Sequence, residues 1–414
     1  MNEHTRDINM ARVERDIEKL SEFNATPGDG ITRLTYSEED DRARKYIINE
    51  MKNFDLNIEV DGIGNIVGKL EGQDQSLGSV MTGSHLDTVK NGGKYDGVVG
   101  VVGGLEVIRT IKENNISTEN PLELIIFVEE EGTTFGSTLI GSKVFTGKYN
   151  IEDIKRHKDQ DGKSMYERAK EFGLNPDKMI ETKDRNIKAM IELHIEQSIV
   201  LEKNNLNIGI VDDIAGMKWF NVNLRGEANH AGATPMNLRK DVLVVASEII
   251  KEIQNIVNKS KSGSIVGTVG KIDCEPNVPN VIPEKVNFTL DLRDVNKQAL
   301  EETSKRINNN IKEICHENEI DYSIELMGES SPIQLSNKLK KAARKSAEER
   351  DYSFKIMNSG AVHDVGILAD ITEAGLLFVP SVDGKSHNPE EFTSYVDIER
   401  GCNLLLDTIL QLST

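Results

Sequence analysis

The sequence predicts an α/β protein in which a helix-flanked sheet carries an inserted, smaller α+β unit. Three observations predict it. Strand and helix signals alternate through residues 79–128, an apolar run at 122–128 empties into Glu129-Glu130-Glu131-Gly132, and residues 217–327 form a compact series of their own. At 414 residues the chain exceeds one ordinary hydrophobic core, so two domains are expected.

Residues 79–84 read as a short strand that ends in the polar His85-Leu86-Asp87-Thr88. Helical spacing follows over 98–113, after a glycine-rich start. The continuously apolar run 122–128 suits a strand covered on both faces, and open α/β sheets place their sites at the carboxyl ends of such strands. Over 189–196, Ile191, Leu193 and Ile195 share one face and Glu192, His194 and Glu196 the other, which sends His194 to the polar side. Residues 217–226 then predict a strand, 238–258 an amphipathic helix, 264–273 and 285–294 two strands, 297–318 a second helix and 320–327 a last strand. This βαββαβ order is the split βαβ arrangement, a four-stranded sheet with two helices on one face. Helices near 337–350 and 394–412 and a strand near 374–379 bring the chain, with His363 and His387, back to the first domain. The expected division is 1–213 with 330–414, and 214–329 inserted between them.

Composition narrows the function classes. A formal charge of -19 and the lack of a basic patch argue against nucleic acid or an anionic membrane as partner, because phosphate would be repelled. The longest apolar stretch, near 98–105, falls well short of the roughly 20 residues needed to span a bilayer. The charged first 16 residues lack a signal-peptide core, so the cytoplasm is the expected compartment. Cys274, Cys315 and Cys402 are few, odd in number and far apart, and read as small buried hydrophobes rather than disulfide partners or metal ligands.

The chemistry concentrates in His85, Asp96, Glu131, His194 and His387, each set in a polar segment. Imidazole nitrogens and carboxylate oxygens are ligands for zinc, manganese or cobalt, and this set with one bridging carboxylate suits a pair of divalent ions. Asp96, in Gly93-Lys94-Tyr95-Asp96-Gly97, could bridge two ions about 3.5–4 Å apart. Asp87 is placed to brace a metal-bound His85 from behind. Glu130 and Glu131 diverge at a strand end, so one can hold metal while the other faces water. His4, His157 and His316 lie in charged helical or terminal contexts and read as ordinary surface or core residues.

Together the segments Gly83-Ser84-His85-Leu86-Asp87-Thr88-Val89, Tyr95-Asp96-Gly97, Glu130-Glu131-Gly132, Glu192-Leu193-His194-Ile195-Glu196-Gln197, Gly226-Glu227-Ala228-Asn229-His230-Ala231-Gly232, Asn280-Val281-Ile282-Pro283, Asp291-Leu292-Arg293 and Ser386-His387-Asn388-Pro389-Glu390 carry a resemblance. The chain resembles the hydantoinase/carbamoylase branch of the dinuclear, M20-type metallopeptidase-like amidohydrolases, from about residue 60 to 395. That branch includes N-carbamoyl-L-amino-acid hydrolases, β-ureidopropionase and allantoate amidohydrolases.

The resemblance implies a mixed central sheet in the catalytic domain and a lid and dimerisation role for the insert. One metal would take His85, Asp96 and His194, the other Asp96, Glu131 and His387, with Glu130 as general base. Arg293 would grip a substrate carboxylate, against the alternative of a surface ion pair with Asp291 or Asp294. Asn280 and Gln197 would bind carboxylate or ureido groups, and His230 would stabilise an oxyanion in the neighbouring subunit of a homodimer. Hinges are expected near 213–216 and 328–332. His363 would contact substrate or cap a helix.

The implied reaction is hydrolysis of a carbamoyl or ureido C–N bond beside a carboxylate. An N-carbamoyl-L-amino acid is the first expectation and allantoate the second, with an N-acyl-amino-acid deacylase or peptidase as rival. The chain departs from the family at Ser198 and Ile199, where relatives read Gly-Pro, at Thr134, where many carry Arg, and at Val362, where Gly is usual.

Overall fold

The computed structural model describes residues 7–179 and 185–414, and His4 lies outside them. The chain divides into two compact units, Met1–Asp212 with Gln334–Thr414, and Asp213–Ile333.

The first unit begins with α1 (Met10–Ser21), α2 (Glu38–Lys52), β1 (Asn57–Val60) and β2 (Ile66–Leu70). It continues with β3 (Ser79–His85), α3 (Val98–Glu113), β4 (Leu122–Phe127), the short α4 (Ile140–Phe145), α5 (Ile151–Arg156) and α6 (Met165–Glu171), then β5 (Ile187–Ile195), α7 (Val200–Lys203) and β6 (Ile208–Ile214). After the second unit come β14 (Ile333–Gln334), α10 (Asn337–Glu349), β15 (Phe354–Ser359), α11 (Asp364–Leu368), β16 (Glu373–Val379) and α12 (Tyr395–Ser413). The sheet runs β1-β2-β4-β3-β5-β16-β6-β14, with β15 beside β6. Its centre, β4-β3-β5-β16, is parallel, and β1, β2 and β6 join antiparallel, so the sheet is mixed.

Every residue of β3 and β4 is buried, as their apolar runs require. In β5 the polar face is buried too: Glu192 and His194 are as enclosed as Leu193, so its alternation separates chemistry rather than exposure. α3 is buried from Val98 to Ile111, which explains why valines, glycines and leucine occupy all of its faces.

The second unit contains β7 (Gly216–Arg225), β8 (Asn229–His230), α8 (Val242–Asn258), β9 (Val266–Thr268), β10 (Ile272–Glu275), β11 (Val281–Ile282), β12 (Lys285–Asp294), α9 (Lys297–Glu317) and β13 (Asp321–Ser330). The sheet order is β10-β12-β7-β13, with β9 also on β12, and all its pairs are antiparallel. Stripes from α8 (Val245, Ile249, Ile253) and α9 (Leu300, Ile307, Ile311) join Val222, Leu224, Phe288 and Leu290 in one core.

Local details differ from the expectations. The helix expected from 238 starts at Val242, because Asp241 accepts the amides of Leu243 and Val244 and caps it there. The strand expected over 264–273 is two strands, interrupted around Gly270. Cys315 and Cys402 are buried, whereas Cys274 is only partly so, and all three are free thiols.

Candidate metal centre

Four neighbouring parallel strands deliver the polar residues to one crest of the first unit. His85 ends β3, Glu130 and Glu131 follow β4, His194 is the penultimate residue of β5, and His387 lies beyond β16. Asp96 sits one residue before the glycine that caps α3. Gly97 takes φ +66°, and a Cβ there would fall 2.5 Å from the His85 ring, so glycine is needed for Asp96 to come this close.

The two oxygens of Asp96 face different histidines. Oδ1 lies 3.1 Å from His194 Nε2 and 3.7 Å from His85 Nε2, while Oδ2 lies 3.2 Å from His387 Nε2. Glu131 Oε2 is 3.4 Å from the same His387 nitrogen, and Glu130 Oε2 is 3.7 Å from His85 Nε2. Among the described residues four sets of side chains could hold a cation: His85/Asp96/His194 and Asp96/Glu131/His387, which share Asp96, and also His85/Glu130/Glu131 and Glu192/His194/His363. Buried His85 directs Nδ1 to the carbonyl of Asp87 at 2.9 Å, and buried His194 directs Nδ1 to the carbonyl of Ile195 at 2.9 Å. With Nδ1–H donating to a carbonyl, each ring turns Nε2 to the centre, the orientation a metal-ligating imidazole needs; at His194 that nitrogen also accepts the amide of Gly97 at 3.3 Å.

Asp87 sits differently from the expected arrangement. Its carboxylate is 3.9 Å from His85 Nδ1, beyond hydrogen-bond reach, and accepts instead the amides of Glu130 at 3.3 Å and Glu131 at 3.1 Å. It is the carbonyl of Asp87 that orients the imidazole. His363, at the N-cap position of α11, makes no side-chain cap; it is buried, 3.0 Å from Ser359 Oγ and edge-on to His194. Gln197 donates from Nε2 to Asp96 Oδ2 at 2.8 Å, and its buried Oε1 has no hydrogen-bond partner among the described residues.

The electrostatics fit a cation. Burial pushes the Glu130 carboxyl well above the ordinary range, and Glu131, Asp364, Asp87 and Asp96 push it further. Burial works against ionised Asp96 as well, yet His194, His387 and His85 hold it well below the ordinary range. Protons on the carboxyls themselves, protons on these histidines or bound cations balance so many acids in a buried space.

The remaining candidates lie in the second unit. His230 is exposed, and the amides of Gly232 and Ala233 both donate to its Nδ1 at 3.1 Å, which leaves an outward-facing Nε2–H. Exposed Asn280 accepts the amide of Ala231 on its backbone carbonyl at 3.0 Å, next to the short β8/β11 ladder in which His230 pairs with Val281. Arg293 lies on β12 opposite Phe288, Leu290 and Leu292, and donates from Nε and Nη2 to Asp291 at 3.0–3.2 Å. The ion pair weighed as the alternative reading of Arg293 is therefore present with Asp291; Asp294 instead accepts the hydroxyls of Ser262 and Ser264.

Two buried acids escaped the sequence reading of the site. Glu192 accepts from Ser84 Oγ at 2.6 Å and from the amide of Val365 at 3.0 Å, linking β3, β5 and α11 behind His194. Glu391 accepts the amides of Tyr95 and Asp96. Only the alternation around His194 pointed toward Glu192, and nothing local distinguishes Glu391 from its neighbour Glu390.

A mixed sheet that gathers imidazoles and carboxylates around one shared aspartate is the framework of a metal-dependent hydrolase. Residues 81–411 match the peptidase family M20/M25/M40, and the chain belongs to that family. It is 40% identical over 408 residues to an N-carbamoyl-L-amino-acid amidohydrolase of Pseudomonas sp. (strain NS671), covering 98% of both chains. It is 37% identical to an allantoate amidohydrolase of Bacillus subtilis (strain 168), covering 96% of each. A crystal structure of a hydantoinase/carbamoylase family amidase from Burkholderia multivorans superposes with a TM-score of 0.93 at 32% identity, over 99% of both chains. Among the described residues no helix is long and apolar enough to cross a membrane.

Proposed function

We propose that this protein is a metal-dependent amidohydrolase that cleaves the carbamoyl or ureido C–N bond of a carboxylate-bearing substrate, foremost an N-carbamoyl-L-amino acid, releasing ammonia and carbon dioxide. The observation that carries it is Asp96, whose two oxygens address separate histidine groups. His85, Asp96 and His194 would hold one divalent ion, and Asp96, Glu131 and His387 a second; zinc, manganese and cobalt all suit this donor set. Bound ions supply Lewis acidity and lower the pKa of water at the site.

Glu130, unused as a ligand in this scheme, takes a proton from the attacking water and returns one to the departing nitrogen. The Nε2–H of His230 suits a developing oxyanion, since its Nδ1 is already committed to two backbone amides. Arg293, its guanidinium oriented by Asp291, binds the substrate carboxylate, and Asn280 and Gln197 hydrogen-bond the carboxylate or ureido group. His363 backs His194 and reaches the substrate from that side.

Residues 214–329 act in this reading as lid and dimerisation domain, closing on hinges near 213–216 and 328–332, with His230 offered to the partner's site of a homodimer. Exposed Met236, Leu238, Leu243 and Val244, close in sequence to the His230 loop, support a protein contact there. Three free thiols suit the cytoplasm. The relative from Bacillus subtilis makes allantoate the second substrate reading.

Ammonia release from manganese-, cobalt- and zinc-loaded protein tests the proposal across N-carbamoyl-L-amino acids, N-carbamoyl-β-alanine and allantoate. Turnover of dipeptides or N-acetyl amino acids, with silence on every ureide, would move the protein to the peptidase or deacylase class.

A further inference from the structure

Asp96 must present its two oxygens to two histidine groups at once, although it stands in a loop and His387 stands in another. Glu391 joins those loops. Its buried carboxylate accepts the amides of Tyr95 at 3.0 Å and Asp96 at 3.1 Å on Oε1, and the hydroxyl of Ser386 at 3.0 Å on Oε2. Ser386 precedes His387, and its hydroxyl also lies 3.0 Å from Asp96 Oδ2. A Cβ at Gly93 would fall 2.1 Å from Glu391 Oε1, so a glycine is what lets the first loop lie against this carboxylate. On either side the Tyr95 ring packs edge-on to Phe392 and Tyr395, at 5.8 and 6.3 Å between centroids.

Resting on the two-ion reading above, we propose that Glu391 is the positioning residue for the outer ion, fixing Asp96 and His387 against each other. The inner group depends on it less. His85 and His194 sit at the ends of buried strands and each is oriented by a backbone carbonyl, whereas the His387 side chain is 49% exposed and lies on a loop that Glu391 ties to Asp96. The two oxygens do separable work. Glu391→Gln keeps an acceptor for the two amides, but its NH2 would donate to Ser386. The serine proton would then turn to Asp96 Oδ2 and compete with an ion there.

Equilibrium dialysis against buffered Co2+ or Zn2+, with bound ions counted by mass spectrometry, tests this without reference to turnover. Wild type is expected to bind two ions per chain. Glu391→Ala should bind the first as wild type does and the second roughly 10–100-fold more weakly, the usual effect of removing a group that orients a metal ligand. Glu391→Gln should fall between them. Glu390→Gln, at the neighbouring exposed residue paired with Lys385, removes the same charge and should bind as wild type. Superposable isotherms for wild type and both Glu391 variants would overturn the inference alone, as would weakening of the first ion instead of the second. A wild type that binds no ion would overturn the two-ion reading and this inference with it. Should Glu391→Ala fail to fold by circular dichroism, Glu391→Gln carries the test.

Discussion

The two units hold their candidate site residues in opposite ways. In the first, His85, Asp96 and His194 are at most 5% exposed, arrive from separate strands and loops, and are cross-braced by Asp87, Glu391 and backbone carbonyls. In the second, His230 and Asn280 are exposed on a short two-stranded ladder, and Arg293 lies on the open side of a strand whose other face is core. Water activation needs fixed distances between charges, which burial and redundant hydrogen bonds provide. Recognition, the part proposed for the second unit, needs groups that a substrate can reach, and there two local amides hold His230 and Asp291 orients Arg293. The division implies that changes in the first unit should act on metal content and the chemical step, and changes in the second on substrate affinity or oxyanion stabilisation.

Removing the ions is the harshest test of that division. Dialysis against a strong chelator should abolish ammonia release, and cobalt, manganese or zinc should restore it; full activity after verified metal removal would break the scheme. Next comes Glu130→Gln, expected to lower kcat by roughly 10²–10⁴-fold. Its metal content should match wild type, because the amide keeps the shape and only the base is lost. His230→Ala should reduce kcat by about 10²–10³-fold, the scale of one oxyanion donor, with ions retained. The smallest effect should come from Arg293→Ala, which removes a charged hydrogen-bonding group worth roughly 1.5–3 kcal/mol and should appear chiefly as a higher KM for carboxylate substrates. An unchanged KM would make Arg293 a structural residue, paired with Asp291. A fall in metal content in either second-unit variant would erase the distinction between the units.

Much of this was legible in the sequence, for identifiable reasons. Polar residues at the carboxyl ends of apolar strands have few places to go in an α/β sheet, so His85 and Glu131 could be placed before the sheet order was known, and the alternation of β5 sent His194 to the polar side. The βαββαβ series was legible because β7 and β12 alternate strictly and α8 carries one apolar stripe. What escaped depends on long-range or backbone contacts. Glu391 acts on amides nearly 300 positions earlier, and no local pattern encodes that. Asp87 was assigned by its carboxylate, yet its carbonyl meets His85, a choice made by backbone direction at the end of β3. The interruption of the strand at 269–271 shows only in the pairing, where β9 and β10 meet separate stretches of β12.

The position of β16 has a consequence for how the protein is made. It lies between β5 and β6 in the sheet, but the ribosome delivers it only after residues 213–333 have been synthesised. Through that interval the nascent first unit exposes the strand edges that β16 will occupy, the kind of surface that invites mispairing and chaperone binding. His387 emerges later still, so a chain made only as far as the second unit cannot yet bring together Asp96, Glu131 and His387.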